Sequence, residues 1–241
     1  MCISKDMKKG IVSGKILINK EISKNIYKMV IQDKDISREG KPGQFINVYC
    51  KSGALLLPRP ISICEVSPEE STLTIVYAVV GDGTKEMMGY SVGEDIRILG
   101  PLGNGFDIDT EATRNIVVAG GVGTPPMLEL VKKLKGKIDI YLGFKDKPYL
   151  LDELRKYGNL FIATEDGSFG TKGNVINILN DNNAKGDIIY SCGPKPMLKA
   201  LVNWAEDNKI PAQISLEERM GCGVGSCVGC AVKIKADNEK G

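Results

Sequence analysis

Three cysteines near the end of the chain stand in the run Cys222-Gly223-Val224-Gly225-Ser226-Cys227-Val228-Gly229-Cys230. Their C-x4-C-x2-C spacing matches three of the four thiolates that hold a plant-type [2Fe–2S] cluster. Thiolates converging on two irons from one short loop need a backbone that turns sharply. Gly223, Gly225 and Gly229 allow that and aim main-chain amides at sulfur. Such contacts favour the reduced, more negative cluster. A zinc knuckle is the other reading of clustered thiols, and the glycine content argues against it. Cys192 sits in a motif of its own, so the fourth thiolate is expected beyond Gly241. Histidine is absent, which removes Ser/His and Cys/His nucleophiles, His-based zinc sites and the Rieske cluster. No side chain is therefore expected to do acid–base catalysis, and the chemistry points to electron relay.

Five further motifs lie upstream. Arg59-Pro60-Ile61-Ser62 offers a planar guanidinium fork suited to the pyrophosphate of a flavin dinucleotide such as FAD, with Ser62 available to the ring edge or ribityl chain. Gly83 and Thr84 follow in a turn, offering a backbone amide and a hydroxyl to phosphate ahead of a helix-like stretch from Lys85. Ala119-Gly120-Gly121-Val122-Gly123-Thr124 comes directly after a strand and opens a helix. Gly120, Gly121 and Gly123 there let a dinucleotide such as NAD approach the backbone, although the order is not G-x-G-x-x-G. Ser191-Cys192-Gly193-Pro194 ends another strand, where Gly193 and Pro194 suit a nicotinamide ring and Cys192 is expected beside it. Glu165 and Asp166 close a third strand; two carboxylates accept from a ribose 2′-hydroxyl and repel a 2′-phosphate, which favours NADH over NADPH.

These residues need two kinds of scaffold. Up to about Gly105, short runs (Gly14 to Ile18, Tyr27 to Ile31, Phe45 to Tyr49, Leu73 to Val80, Asp95 to Leu99) alternate with Gly, Pro, Ser and Asp, as in antiparallel β structure. Spacing alone leaves barrel and sandwich open. From Arg114, apolar strands (Asn115 to Ala119, Ile138 to Phe144, Leu160 to Ala163, Asp187 to Ser191) alternate with helical patterns. Pro125 and Pro126 suit a first helical turn ahead of Met127, Leu128, Val131 and Leu134 on one face. A later helix starts at Pro196 and is expected to bury Met197, Leu198, Leu201, Val202 and Ala205. From Ile214 a Gly/Cys-rich loop runs toward an edge strand over Ala231 to Ile234.

At 241 residues the chain can fill more than one core. Thirty-two basic residues against 30 acidic ones, with no basic run, give no footprint for nucleic acid or an anionic membrane surface. No apolar stretch reaches the roughly 20 residues of a bilayer span, and the polar start lacks a signal-peptide core. Cys2, Cys50 and Cys64 are scattered, which reads as a reduced, cytoplasmic protein and not as a disulfide framework.

In order, Arg59 to Ser62, Gly83-Thr84, Ala119 to Gly123, Ser191 to Pro194 and Glu217-Glu218-Arg219-Met220-Gly221-Cys222 with its two following cysteines resemble the ferredoxin–NAD(P) reductase superfamily. Within it they are most similar to the electron-transfer subunits of type B dihydroorotate dehydrogenases. The resemblance implies an α+β multidomain protein of three units. Residues 1–108 would be an antiparallel Greek-key β-barrel holding FAD, residues 109–213 a Rossmann-like α/β parallel-sheet domain admitting NAD, and residues 214–241 a small [2Fe–2S] lobe. It further implies that Arg59 to Ser62, Val76, Tyr77, Ala78, Gly83 and Thr84 contact FAD, and that Cys222, Cys227 and Cys230 ligate iron. The partner it implies is an FMN-containing catalytic subunit in an α2β2 heterotetramer of pyrimidine biosynthesis. Subunits of a cytosolic hydrogenase, a sulfide dehydrogenase or a ferredoxin–NADP transhydrogenase share similar motifs. A zinc or redox-sensing module on a nucleotide fold is the non-enzymatic alternative.

Overall fold

The computed structural model describes residues 10–218 and 220–232. Strands β1 (Val12–Ser23), β2 (Ile26–Gln32), β3 (Phe45–Tyr49), β4 (Arg59–Ser67), β5 (Thr72–Ala78) and β6 (Asp95–Leu102) close into an antiparallel barrel in the order β1-β2-β5-β4-β3-β6. Three consecutive neighbours, with β2 returning beside β5, make a Greek key. Ile16, Met29, Ile31, Ile46, Val48, Leu73 and Ile75 fill its interior. Two short helices accompany it, α1 (Lys34–Glu39), capped by Asp33 through the Ile36 amide at 2.7 Å, and α2 (Asp82–Met88).

The second domain is a six-stranded sheet of β7 (Arg114–Gly120), β8 (Lys137–Phe144), β9 (Asn159–Thr164), β10 (Thr171–Lys172), β11 (Ile188–Cys192) and β12 (Ala212–Ser215). Its order is β10-β9-β8-β7-β11-β12, parallel throughout. Helices α3 (Thr124–Val131), α4 (Leu151–Arg155), α5 (Val175–Asp181) and α6 (Lys195–Asp207) connect the strands. Strand order reverses between β7 and β11, the topological switch point at which open α/β sheets bind ligands beyond their strand ends. Both motifs read as dinucleotide-binding, at Gly120 and Cys192, end those two strands.

Five details depart from the sequence reading. Arg59 to Ser62, which fall outside the strand runs read from the sequence, begin a strand. Helix α2 starts at Asp82, three residues before Lys85. On α6 the buried face carries Trp204 in place of Val202, which is 37 % exposed. Strand β12 runs across the 213/214 division and completes the parallel sheet. Ala231 and Val232 are irregular, and the rest of the expected edge strand lies outside the described residues.

One apolar cluster joins the domains. Cys64 of β4 and Val76 of β5 pack with Val117, Ala119, Met127, Leu130 and Val131, so α3 lies against the outer face of the barrel. Every residue of α3 is buried.

Candidate functional site

Strand pairing explains the main cleft. Arg59 to Ser62 pair only with β3, as Val48↔Arg59 through Phe45↔Ser62, and β4 meets β5 only from Ile63↔Ile75 onward. Val76 to Ala78 pair with β2 alone. The two strands therefore splay at this end, opening a cavity of about 720 Å³ lined by Arg59, Pro60, Ile61, Ser62, Val76, Tyr77, Ala78 and Thr84. That size is in the range of a cofactor site. Val122 of the glycine loop and Gln213 to Glu218 form the opposite wall.

The Arg59 side chain lies directly on Gly83. A Cβ at Gly83 would stand 1.9 Å from Arg59 Nε and 2.5 Å from Cζ, so this close approach requires glycine. Arg59 Nη1 also donates to the Leu57 carbonyl. The guanidinium is thus seated at the cleft edge, a cradle suited to pyrophosphate. Two expected roles change. Thr84 Oγ1 accepts from the Val80 and Gly81 amides at 3.0 and 3.2 Å and donates to the Gly81 carbonyl at 3.0 Å. Its hydroxyl therefore shapes the turn instead of reaching phosphate. Tyr77 faces the barrel core, its hydroxyl donating to Asn19 Oδ1 at 3.0 Å, which leaves its main chain for the cleft.

Across the interface, the Gly120–Gly123 turn nests against the end of β11. A Cβ on Gly123 would meet the Cys192 carbonyl oxygen at 2.2 Å, and one on Gly120 would meet Met197 Sδ at 2.6 Å. Gly121 has φ +51° with nothing within 4 Å of a Cβ, open for a ligand to approach. Gly193 and Pro194 lead into α6, with Pro194 at its N-cap. Cys192 itself is 1 % exposed. Burial and the charge of Glu217 push its thiol up to about 12, so it is a neutral packing group behind the site. Much of Glu217 is open to solvent, yet the dry surroundings of its carboxyl raise it above the ordinary range. Glu165 and Asp166 stand apart from the cleft at the end of β9. The Asp166 carboxylate accepts from the Ser168 amide at 2.9 Å and hydroxyl at 2.7 Å, which leaves Glu165 as the unengaged carboxylate of that pair.

The cysteine loop packs onto the barrel. Asn47 Nδ2, on a residue 1 % exposed, donates to the Cys222 carbonyl at 3.2 Å, and a Cβ on Gly223 would lie 2.5 Å from that nitrogen. Asn47 pairs with Pro60 across β3 and β4, so one residue touches both the flavin-side strand and the cysteine loop. Nothing in its sequence context marks it. Gly223 and Gly225 have φ of +70° and +80°, whereas Gly229 does not; Val228 takes the left-handed turn instead, at +48°. The Cys227 amide donates to Cys222 Sγ at 3.4 Å. Together with the Val224 amide it lowers the Cys222 thiol to about 6, the amide-lined thiolate that an iron–sulfur ligand needs. Among the described residues no three metal-binding side chains converge to ligand distance; the three thiols share one loop.

These environments set a reactivity order. Iron-free protein treated with iodoacetamide at pH 7 is expected to react first at Cys222 and to spare Cys50, Cys64 and Cys192, whose thiols burial raises. Peptide mass mapping reads this, and early labelling of Cys64 or Cys192 in folded protein would contradict it.

Residues 217–241 match the family model for the iron-sulfur cluster binding domain of dihydroorotate dehydrogenase B. The chain is 41 % identical over 227 residues to the dihydroorotate dehydrogenase B (NAD(+)) electron transfer subunit of Caldanaerobacter subterraneus, covering 94 % of this chain and 90 % of that one. The protein of the same name from Fusobacterium nucleatum is 42 % identical over 233 residues, covering 92 % and 89 %. Among solved structures, an NADH-dependent reduced ferredoxin-NADP oxidoreductase is similar with a TM-score of 0.83 at 28 % identity, over 92 % of this chain and 82 % of that one. The ferredoxin reductase of carbazole 1,9a-dioxygenase shares the fold, with a TM-score of 0.74 at 14 % identity over 87 % and 70 %. No helix among the described residues is long and apolar enough to cross a membrane.

Proposed function

This chain belongs to the family of dihydroorotate dehydrogenase B (NAD(+)) electron-transfer subunits, and from that premise we propose how its own residues divide the work. It is an oxidoreductase subunit that moves electrons between a catalytic partner and NAD. When bound, FAD supplies the exchange between hydride, which carries two electrons together, and the single electrons that a [2Fe–2S] cluster handles.

In our reading Arg59, seated on Gly83, holds the FAD pyrophosphate by paired charge-assisted hydrogen bonds, while Pro60, Ile61, Ser62 and the main chain of Val76 to Ala78 wall the ring. Gly120, Gly121 and Gly123 admit the NAD backbone, Gly193 and Pro194 support the nicotinamide end, and Glu165 reads the ribose. Cys222, Cys227 and Cys230 hold the cluster, with Asn47 fixing their loop to the barrel. The units are the barrel (1–108) for FAD, 109–213 with β12 as edge strand for NAD, and 214–241 for iron. We further propose that the partner carries FMN, that the assembly is α2β2, that it acts in the cytoplasm, and that the product serves pyrimidine synthesis.

One observation carries this reading: the cleft walled by Arg59 to Ser62 faces the glycine turn, and its far wall, Gln213 to Glu218, runs straight into the cysteine loop. Affinity purification of the chain with its natural partner tests it. Release of FMN and FAD in equal amounts from a four-chain complex is expected. A partner with several iron–sulfur clusters and no FMN would overturn the dihydroorotate assignment and favour a hydrogenase, sulfide dehydrogenase or transhydrogenase assembly.

A further inference from the structure

Helix α3 is wholly buried and carries one charged side chain. Glu129, with its side chain 0 % exposed, accepts at Oε2 from the Val66 amide of β4 at 3.1 Å and from Lys132 Nζ at 3.1 Å. Lys132 Nζ also donates to Glu65 Oε1 at 3.0 Å and to the Val66 carbonyl at 3.3 Å. Lys133 Nζ stands 3.5 Å from Glu129 Oε1, an atom with no hydrogen-bond partner among the described residues. Burial disfavours the Lys132 ammonium, but its hydrogen bonds to Glu65 and Glu129 outweigh this and raise it.

Both ends of this cluster matter. Strand β4 begins with Arg59 to Ser62 and reaches Glu65 and Val66 after an irregularity between Ile63 and Glu65. Helix α3 begins directly after Gly123. The flavin-side strand and the dinucleotide-side helix are therefore joined through two carboxylates, Glu129 and Glu65, and the Lys132 ammonium between them. A buried ion pair stabilises a fold no better than apolar groups of the same volume, because desolvation offsets attraction. What it adds over sliding apolar surfaces is directional contact, hence a fixed distance.

We propose that Glu129, with Lys132, is a positioning residue for hydride transfer, setting the separation between the flavin and nicotinamide sites. This rests on the function proposed above. Reacting atoms must lie within about 3–3.5 Å, and a misplacement of about 1 Å can cost about a hundredfold, so a clamp remote from the chemistry can govern its rate.

The test uses FAD-loaded protein with its catalytic partner. Stopped-flow reduction by NADH is measured together with the long-wavelength charge-transfer absorbance of stacked nicotinamide and flavin. Glu129→Met is expected to slow flavin reduction about tenfold, equivalent to about 1.4 kcal/mol on the barrier, and to abolish the charge-transfer band while FAD content and NADH affinity stay unchanged. Glu129→Gln, whose amide oxygen still accepts from Val66, should recover most of both. Should Glu129→Met fail to fold, Lys132→Met reads the same quantities with the same expectation. A wild-type rate and band in either methionine variant overturns the proposal, as does a loss that disappears when expressed per flavin-loaded chain. A wild-type flavin that NADH does not reduce would instead defeat the functional reading.

Discussion

Gly83→Ala should strip FAD from the protein and leave the fold standing. Gly83 lies inside α2, where alanine is the better helix former by about 1 kcal/mol, so the backbone gains if anything. The added methyl nevertheless falls 1.9 Å from Arg59 Nε and 2.7 Å from Nη2. Arginine is flexible and can swing away at small cost to stability, but its guanidinium then leaves the cleft edge. Losing charge-assisted hydrogen bonds to a pyrophosphate is worth about 1.5–3 kcal/mol each. Affinity for FAD should fall at least about tenfold. Flavin absorbance per chain after gel filtration reads the effect, with Gly81→Ala as control, since a Cβ there meets nothing within 4 Å. Full flavin content in Gly83→Ala would show that the pyrophosphate does not sit against Arg59.

Gly123→Ala should do the opposite, damaging fold and NAD binding together. Here the new methyl meets main chain: the Cys192 carbonyl oxygen at 2.2 Å, its carbon at 2.4 Å and the Gly193 amide nitrogen at 2.6 Å. None of these can rotate away. The β7–α3 turn must separate from β11 at the switch point, which spoils the packing beneath both dinucleotide motifs. Overpacking of this kind costs about 3 kcal/mol, which for a chain of this length lowers Tm by roughly 6–12 °C. Calorimetry and NADH titration together check it. A variant with normal Tm and normal NADH affinity would show that the two strand ends are not in the contact described.

The contrast between these glycines also shows what the sequence could reveal. Gly120 to Gly123 were legible because a parallel strand of unbroken apolar residues, Ile116 to Ala119, announces where the turn must fall, and the two prolines announce the helix. Gly83 was legible only as part of a turn, since its neighbour Arg59 lies far away in sequence. The start of β4 was hidden because Pro60 interrupts the strand pattern; its missing N–H is tolerated where the strand has a neighbour on one side only. Thr84 and Tyr77 both line the cleft, but their hydroxyls are engaged, Thr84 within its own turn and Tyr77 with the distant Asn19, which the sequence pattern does not disclose. Asn47 and Glu129 left no trace, because a polar residue between apolar neighbours looks the same whether it faces solvent or another domain. Val202 and Trp204 show the limit of periodicity: they stand two residues apart at opposite edges of the buried face, and packing against α5, through Trp204 Nε1 donating to Asn180 Oδ1 at 2.7 Å, decides which edge turns inward.

The most direct test of a shared flavin and iron–sulfur relay is an anaerobic titration of the purified complex with NADH, following flavin and [2Fe–2S] absorbance together with low-temperature electron paramagnetic resonance. Both chromophores are expected to bleach in one titration, with a rhombic cluster signal rising as NADH is added. Protein that bleaches only at the flavin, or that contains neither iron nor sulfide when prepared without oxygen, would contradict the account.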